Sequence, residues 1–270
     1  MSTEPEVRIR TVQEKARALH EARRTRVPIA PFTDAEPGLG MADGYAIQQE
    51  LVQLLLADGD RIVGHKVGLT AAPMQKALGI DSPDYGPVLA STVYQDGDTV
   101  PTERFISPKI EAEIVFVLGE RLEGPGVTVT QARRAISGAV AGMEIIDSRI
   151  ADWRIKLADT VADLASNGAM ATSSRVVPLA DGADSWDPRL IGMVLTRNGE
   201  LVDTGAGAAA LGDPVAVVAW LANTLGEHGV ALEPGHLIMT GALHVAVPMS
   251  PGDVFRAEFD RLGPVTVKVS

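Results

Sequence analysis

Apolar and polar positions along this chain recur with two different periods, and the change of period divides it. Over about 7–25, Val12, Ala16, Leu19 and Ala22 fall on one helical face among many charges, which predicts an amphipathic helix. Arg23-Arg24-Thr25-Arg26 reads as its solvated end. A Pro- and Gly-rich connection covers 28–40. A second helix is predicted over 42–57, with Ile47, Leu51, Leu54 and Leu55 at helical spacing and Gly59 beyond its end. From Arg61 onward the period of two takes over. Residues 61–69 read as a strand with Gly64, Lys66 and Gly68 on one face and Val63, His65, Val67 and Leu69 on the other. A short helix is expected at 71–78, a dense turn signal at 81–87, and a short strand and turn at 92–100.

Residues 108–118 give the clearest strand, rich in β-branched and apolar residues and ended by Gly119. Glu111 and Glu113 share a face with Val115 and Val117, and Ile110, Ala112, Ile114, Phe116 and Leu118 take the other. Downstream, 128–139 reads as a helix with Thr130 as N-cap, leading into an apolar stretch that carries Glu144. Residues 152–156 and 159–166 are polar and irregular, suited to a site loop. A strand over 189–197 runs into Asn198-Gly199, a hairpin turn. Asp213-Pro214 opens a helix whose core face holds Val217, Val218, Trp220, Leu221 and Leu225. Short strands follow at 237–240, 254–259 and 265–269. The expected class is α+β: a helical segment over 1–60, then a β-rich domain over 61–270.

Composition narrows the function. At 270 residues, 46% of them hydrophobic and 22% charged, the chain can bury a self-sufficient core. Lys+Arg of 24 against Asp+Glu of 35 gives a net charge of −11, which argues against nucleic acid or an anionic membrane as partner. There is no cysteine, so disulfides, thiol nucleophiles and zinc–thiolate sites are excluded. No apolar run is expected to span a membrane, and the first residues lack a basic-then-apolar pattern; the expected location is the cytoplasm.

A strand apolar on both faces is normally buried. Two carboxylates side by side there lose hydration and repel, at a cost of several kcal/mol per ion unless compensated. Lys109 or an arginine could pair one of them while the other stays solvated. The apolar continuation and a further acid, Glu144, in a similar setting point instead to a hard divalent cation, Mg²⁺ or Mn²⁺, which prefers carboxylate oxygen. Lys66, flanked by two glycines on its own face, suits either a ligand in close approach or a solvated sheet face. His65 falls on the apolar face and reads as a packed, hydrogen-bonded residue. Asp84 serves either the turn or a site.

Several segments in order, Gly64-His65-Lys66-Val67-Gly68-Leu69-Thr70, Pro83-Asp84-Tyr85-Gly86, Pro108-Lys109-Ile110-Glu111-Ala112-Glu113, Glu144-Ile145-Ile146-Asp147-Ser148-Arg149 and Asp159-Thr160-Val161-Ala162-Asp163, resemble the 2-keto-4-pentenoate hydratases. These belong with the 4-oxalocrotonate decarboxylases in the fumarylacetoacetate hydrolase superfamily. The resemblance implies a β-roll or barrel-like core, a homo-oligomer, and a Mg²⁺ or Mn²⁺ ion held by Glu111, Glu113 and Glu144. It implies Lys66 and Asp84 as catalytic residues, with Lys66, Tyr85 and Ser166 binding a 2-oxo or dienol acid. Asp152-Trp153 and Thr240-Gly241-Ala242-Leu243 look more like hydratases. The family usually reads Asp-Asn-Ala-Ser where this chain has Asp163-Leu164-Ala165-Ser166, so an amide is missing, although Asn167 is near.

The implied reaction is addition of water to 2-hydroxypenta-2,4-dienoate, giving 4-hydroxy-2-oxopentanoate in aromatic meta-cleavage, and the implied partner is another enzyme of the same pathway. Lys66 could hold an anionic oxygen or transfer protons, and Asp84 could move a proton; the sequence does not separate these roles. Decarboxylation of 2-oxo-3-hexenedioate is the competing reaction, and a non-catalytic subunit that binds dienol acids is the competitor from another class. His20, His228, His236 and His244 form no motif for a water-activating pair and read as surface or structural residues.

Overall fold

The computed structural model describes residues 11–71, 75–76, 82–179 and 185–270. The helix expected over 71–78 lies mostly outside them, as do the start of the first helix and Asp81. Helix α1 (Val12–Thr25) opens on a capping box between Thr11 and Glu14, buries Ala16, Leu19 and Ala22, and ends where Arg26 turns left-handed at φ 59°. Its end is not simply solvated, because Arg23 is half-buried. Helix α2 (Phe32–Ala35) is one turn, and α3 (Met41–Ala57) buries Ile47, Leu51 and Leu55. These helices share an apolar cluster with Leu89, Ile150, Ala162 and Leu164 from later in the chain.

The strands in order are β1 (Ile62–Gly68), β2 (Asp84–Leu89), β3 (Val93–Gln95), β4 (Thr99–Val100), β5 (Lys109–Leu118), β6 (Ile136–Ile146), β7 (Asn167–Thr172), β8 (Gly192–Arg197), β9 (Glu200–Ala206), β10 (Leu237–Met239), β11 (Val247–Pro248), β12 (Val254–Phe259) and β13 (Gly263–Val269). Among the described residues the larger sheet runs β2-β1-β10-β5-β6-β7-β3, with β11 also on β5; the smaller runs β4-β13-β12-β8-β9. The expected single strand near 92–100 is thus two, one in each sheet. The large sheet curls until β2 packs against β7, which makes a roll.

The two faces of β5 enter different cores, as its alternation requires. Ile110, Ala112, Ile114, Phe116 and Leu118 join the main core with Phe255, Ala257, Val265 and Val267 of the smaller sheet. Val115 faces the inside of the roll, where it packs with Val88, Val140, Met170 and Met239 as an apolar plug. Helix α4 (Val129–Ala135) is shorter than expected; its N-cap is Thr128, boxed with Gln131, and Ile136 already starts β6. Helix α5 (Leu157–Ala162) replaces part of the expected irregular loop. Helix α6 (Pro214–Gly226) begins as predicted, with Asp213 Oδ1 accepting the Val215 N–H at 2.9 Å. The β8–β9 hairpin turns on Asn198 and Gly199, both at positive φ.

One correction concerns length. Gly207–Gly226 is 20 residues with mean hydropathy 1.3, as long and apolar as a membrane span. Its apolarity is used in the core, where Val215, Val217, Val218, Leu221, Ala222 and Leu225 are buried.

Candidate metal centre and active site

β5 and β6 pair antiparallel with Glu111 opposite Glu144 and Glu113 opposite Gly142. That register puts Glu111, Glu113 and Glu144 on one face, toward the inside of the roll. One carboxylate oxygen from each lies within 4.8 Å of the others. Glu113 and Glu144 are each 1% exposed. The Gly241 N–H donates to Glu113 Oε2 at 2.8 Å, whereas Glu113 Oε1 is buried with no partner among the described residues. Asn167 Nδ2 donates to Glu144 Oε1 at 3.0 Å, and Lys66 Nζ stands 3.5 Å from the same oxygen.

Crowding shows in the acidities. Burial, reinforced by Glu144, pushes Glu111 up to about 8. Burial, then Glu144 and Glu111, holds Glu113 well above the usual carboxylate range. Glu144 is raised by burial too, against the opposing pull of Lys66 and the Asn167 amide. An orphaned buried oxygen in an all-oxygen donor set of like charges is what a hard divalent cation would satisfy. The residues present fit Mg²⁺ or Mn²⁺.

Lys66 and Asp84 meet beside Gly68, since β1 pairs antiparallel with β2 and sets Gly68 opposite Asp84. A Cβ at Gly68 would stand 2.3 Å from Asp84 Oδ1 and 2.9 Å from Lys66 Nζ. The two glycines around Lys66 therefore serve different ends. Gly68 makes room for these two polar groups, whereas a Cβ at Gly64 would strike the Leu237 carbonyl at 1.9 Å, so Gly64 admits the parallel strand β10. Burial alone would lower the Lys66 ammonium, but Glu144, Asp84, Glu111 and Glu113 outweigh it and hold the group above its ordinary value. Burial raises Asp84, with Lys66 and the Gly68 N–H opposing, and its Oδ1 has no partner among the described residues.

A short segment finishes the site. Leu164, Ala165 and Ser166 are all left-handed, at φ 57°, 51° and 58°. Such residues cost of order 1–3 kcal/mol each and need surroundings that impose them. Here the buried Arg149 does so: its Nε meets Asp163 Oδ1 at 2.5 Å and its Nη2 reaches the carbonyls of Asp163 (2.8 Å) and Asn167 (3.2 Å). The segment turns the Ala165 carbonyl onto Lys66 Nζ at 2.7 Å and delivers the Asn167 amide to Glu144.

Lys66, Asp84, Glu111, Glu113 and Glu144 are thus brought together. Tyr85 is not: it lies on the other face of β2, stacked on Tyr45 at 4.5 Å between ring centroids, with Trp220 against its edge. The Ser166 hydroxyl is engaged with Thr160 Oγ1 at 3.0 Å. Asp159, expected in a site loop, is fully buried and takes the Phe32 and Thr33 N–H groups and the Thr33 hydroxyl, tying α5 to α2. Leu164, where the resemblance implies an amide, packs in the N-terminal apolar cluster. His65 is packed as expected, but its Nδ1 has no hydrogen bond among the described residues, and burial pushes it down to about 3. His244 Nε2 accepts the Ala112 N–H at 2.7 Å, a structural role. The Ala165 carbonyl and the Gly241 N–H are backbone groups that sequence reasoning does not place, although Thr240-Gly241 is part of the hydratase-like Thr240-Gly241-Ala242-Leu243 motif; Gly241 stands at φ +101°, which favours glycine.

The curled sheet lines up carboxylates from adjacent strands beside an interior lysine. The chain belongs to the fumarylacetoacetate hydrolase family, with residues 61–270 matching its description, Fumarylacetoacetate (FAA) hydrolase C-terminal. Within it, the chain is 42% identical over 253 residues to a 2-keto-4-pentenoate hydratase of Paraburkholderia xenovorans (strain LB400), covering 94% of this chain and 93% of that one. It is 40% identical over 266 residues to a TodF product hydratase of Pseudomonas putida, covering 98% of each. Among solved structures, 4-oxalocrotonate decarboxylase from Pseudomonas putida G7, complexed with magnesium and adipate, superposes with a TM-score of 0.91 at 36% identity, covering 96% of this chain and 97% of that one.

Proposed function

We propose that this chain is a metal-dependent hydro-lyase that adds water to 2-hydroxypenta-2,4-dienoate, giving 4-hydroxy-2-oxopentanoate in aromatic meta-cleavage. The observation that carries the reading is the convergence of Glu111, Glu113 and Glu144 with Lys66 and Asp84 inside the roll. The hydratase relatives, at 40–42% identity over nearly the whole chain, supply the reaction.

In this reading Glu111, Glu113 and Glu144 hold Mg²⁺ or Mn²⁺. When bound, the ion supplies Lewis acidity to the carboxylate and 2-oxygen of a 2-oxo acid. The dienol ketonises by taking a proton at C5, water adds at C4, and C3 takes the last proton. Lys66, pinned on the Ala165 carbonyl among four carboxylates, keeps its proton and faces the negative charge that gathers on the substrate oxygens. Asp84 moves the protons, because its Oδ1 has no partner among the described residues and burial favours its neutral form. Tyr85 and Ser166 act as positioning residues: Tyr85 fixes β2 through Tyr45, and Ser166 fixes the left-handed segment through Thr160.

The likeness to a 4-oxalocrotonate decarboxylase favours a second reading, loss of CO₂ from 2-oxo-3-hexenedioate at the same residues. One experiment separates them. Metal is stripped with EDTA, the ultraviolet absorbance of fresh 2-hydroxypenta-2,4-dienoate is followed with and without Mg²⁺, and the product is weighed by mass spectrometry. Mg²⁺-dependent loss of absorbance with gain of one water supports the hydratase. Inertness toward the dienoate with CO₂ released from 2-oxo-3-hexenedioate overturns it in favour of the decarboxylase, and inertness toward both with metal bound leaves a binding subunit.

The same reading takes residues 1–60 as a helical segment on a catalytic domain of 61–270, and the protein as a cytoplasmic homo-oligomer working beside another enzyme of its pathway. Support for the oligomer comes from the exposed apolar side chains of Leu190, Leu201 and Val245, suited to burial against other chains. Light scattering after gel filtration tests it, and a monomer at micromolar concentration would refute the oligomer.

A further inference from the structure

A cavity of about 170 Å³ lies apart from the carboxylate cluster. None of Lys66, Asp84, Glu111, Glu113 or Glu144 lines it. Its wall carries Arg23 and Arg26 from the end of α1, Arg104 from the approach to β5, and Arg149 from the exit of β6. Asp147 is the acid among its lining residues. In a chain with net charge −11, four guanidinium groups around one hollow form a local inversion of sign.

The partners of these groups matter more than their number. Asp147 already accepts the backbone N–H groups of Ile106 and Ser107, at 3.0 and 2.7 Å. Arg149, 2% exposed, spends Nε and Nη2 on Asp163 and Asn167; its Nη1 has only Asp147 Oδ2, at 3.8 Å, beyond hydrogen-bond reach. Arg23 has no hydrogen bond or ion pair among the described residues. Burial, then the charge of Arg149, pushes Arg23 down to about 10, against the attraction of Asp163, Asp147 and Asp60. Arg104 donates from Nη1 to the Tyr94 hydroxyl at 2.7 Å, which holds it at the rim. Two guanidinium groups that repel each other with donors unspent are what an oxyanion would bridge. The volume corresponds to roughly five or six waters, room for a tetrahedral oxyanion.

We propose that this cavity is a binding site for a small oxyanion of the phosphate class, held between Arg23, Arg26, Arg104 and Nη1 of Arg149. The site is separate from the catalytic one and does not rest on the reaction assigned to it. It is joined to that site by one side chain, because Arg149 also holds the segment that supplies the Ala165 carbonyl to Lys66 and the Asn167 amide to Glu144.

The test is calorimetric titration of the full-length protein with inorganic phosphate at low ionic strength, with chloride as control anion. Glu111→Gln serves as a second control, because phosphate could also meet a metal ion at the carboxylates. The expected result is saturable binding of one phosphate per chain, unchanged in Glu111→Gln. Arg23→Gln and Arg104→Gln should each weaken it roughly tenfold or more, since each removes one charge-assisted contact. Both arginines lie at the rim or half-buried, so the variants should keep the wild-type circular dichroism and melting temperature; a variant that does not is replaced by its Lys counterpart, which keeps the charge and should retain part of the affinity. Three results overturn the proposal: no phosphate bound by the wild type, binding indifferent to both arginine variants, or binding lost in Glu111→Gln alone. A wild type that binds no phosphate while Arg23→Gln changes its molecular mass in solution would assign the cavity to an acidic side chain of a second copy.

Discussion

Replacing Gly68 by alanine probes the site with one methyl group. The added Cβ would stand 2.3 Å from Asp84 Oδ1 and 2.9 Å from Lys66 Nζ, where ordinary contact begins at 3.4 Å. The lysine end can yield by half that of the aspartate, being the tip of a long chain. The Asp84 carboxylate must retreat by about 1 Å, and displacements of that size at a reacting group cost on the order of 100-fold. That is about 2.7 kcal/mol of transition-state stabilisation. Stability should fall as well, by about 1–3 kcal/mol, the usual cost of forcing an extra methyl into a packed site, only partly offset by the roughly 0.5–1 kcal/mol of backbone entropy that Gly→Ala recovers. The assay is kcat/KM on the dienoate with Mg²⁺, beside a melting curve and Mg²⁺ titration by calorimetry. Activity within about threefold of wild type would refute the placement of Asp84 at the reacting atoms. Loss of activity together with loss of Mg²⁺ affinity would refute it too, because Glu111, Glu113 and Glu144 are untouched.

Three other outcomes are expected. Glu111 has its folded value raised from 4.5 to about 8 in the metal-free protein, so the folded state binds more protons than the unfolded one between those values; stability in EDTA should therefore fall as pH rises from 4.5 to 8, and saturating Mg²⁺ should flatten the slope, as melting temperatures against pH will show. Asn167→Ala removes the donor to Glu144 Oε1 and should weaken Mg²⁺ binding by roughly 10- to 100-fold, read by calorimetry. Leu164→Asn suits the left-handed backbone but gives up a buried apolar side chain worth about 2 kcal/mol, so it should lower the melting temperature slightly and leave turnover unchanged; a gain in turnover would show that position 164 reaches the substrate.

Much of the centre was legible because its chemistry obeys short-range rules. Glu111 and Glu113 sit two apart in a strand, so their shared face follows from the pleat, and the apolar residues on both faces announce burial. Asn198-Gly199 and Asp213-Pro214 act through their own backbone and were equally plain. Other features depend on distant partners. Gly64 reads as open space until β10, some 170 residues later, is seen to pass over it. Tyr85 follows the aspartate in sequence, yet alternation turns it to the opposite side of β2. Ile136 extends a helical pattern that Thr128 had capped earlier than Thr130 would, and its β-branched side chain joins β6 because β5 offers a partner. Arg149 follows Glu144 by five residues and offers itself as a charge partner, but the fold gives it to Asp163.

The apolar plug inside the roll sets a rule for traffic. Val88, Val115, Val140, Met170 and Met239 fill the interior of the roll beside the carboxylates with apolar side chains, so a polar ligand has no favourable way through on that side. Whatever enters carboxylate-first must back out along the same path, and its tail occupies the doorway until it does. Product and fresh substrate then exclude each other, and product inhibition is expected to be competitive.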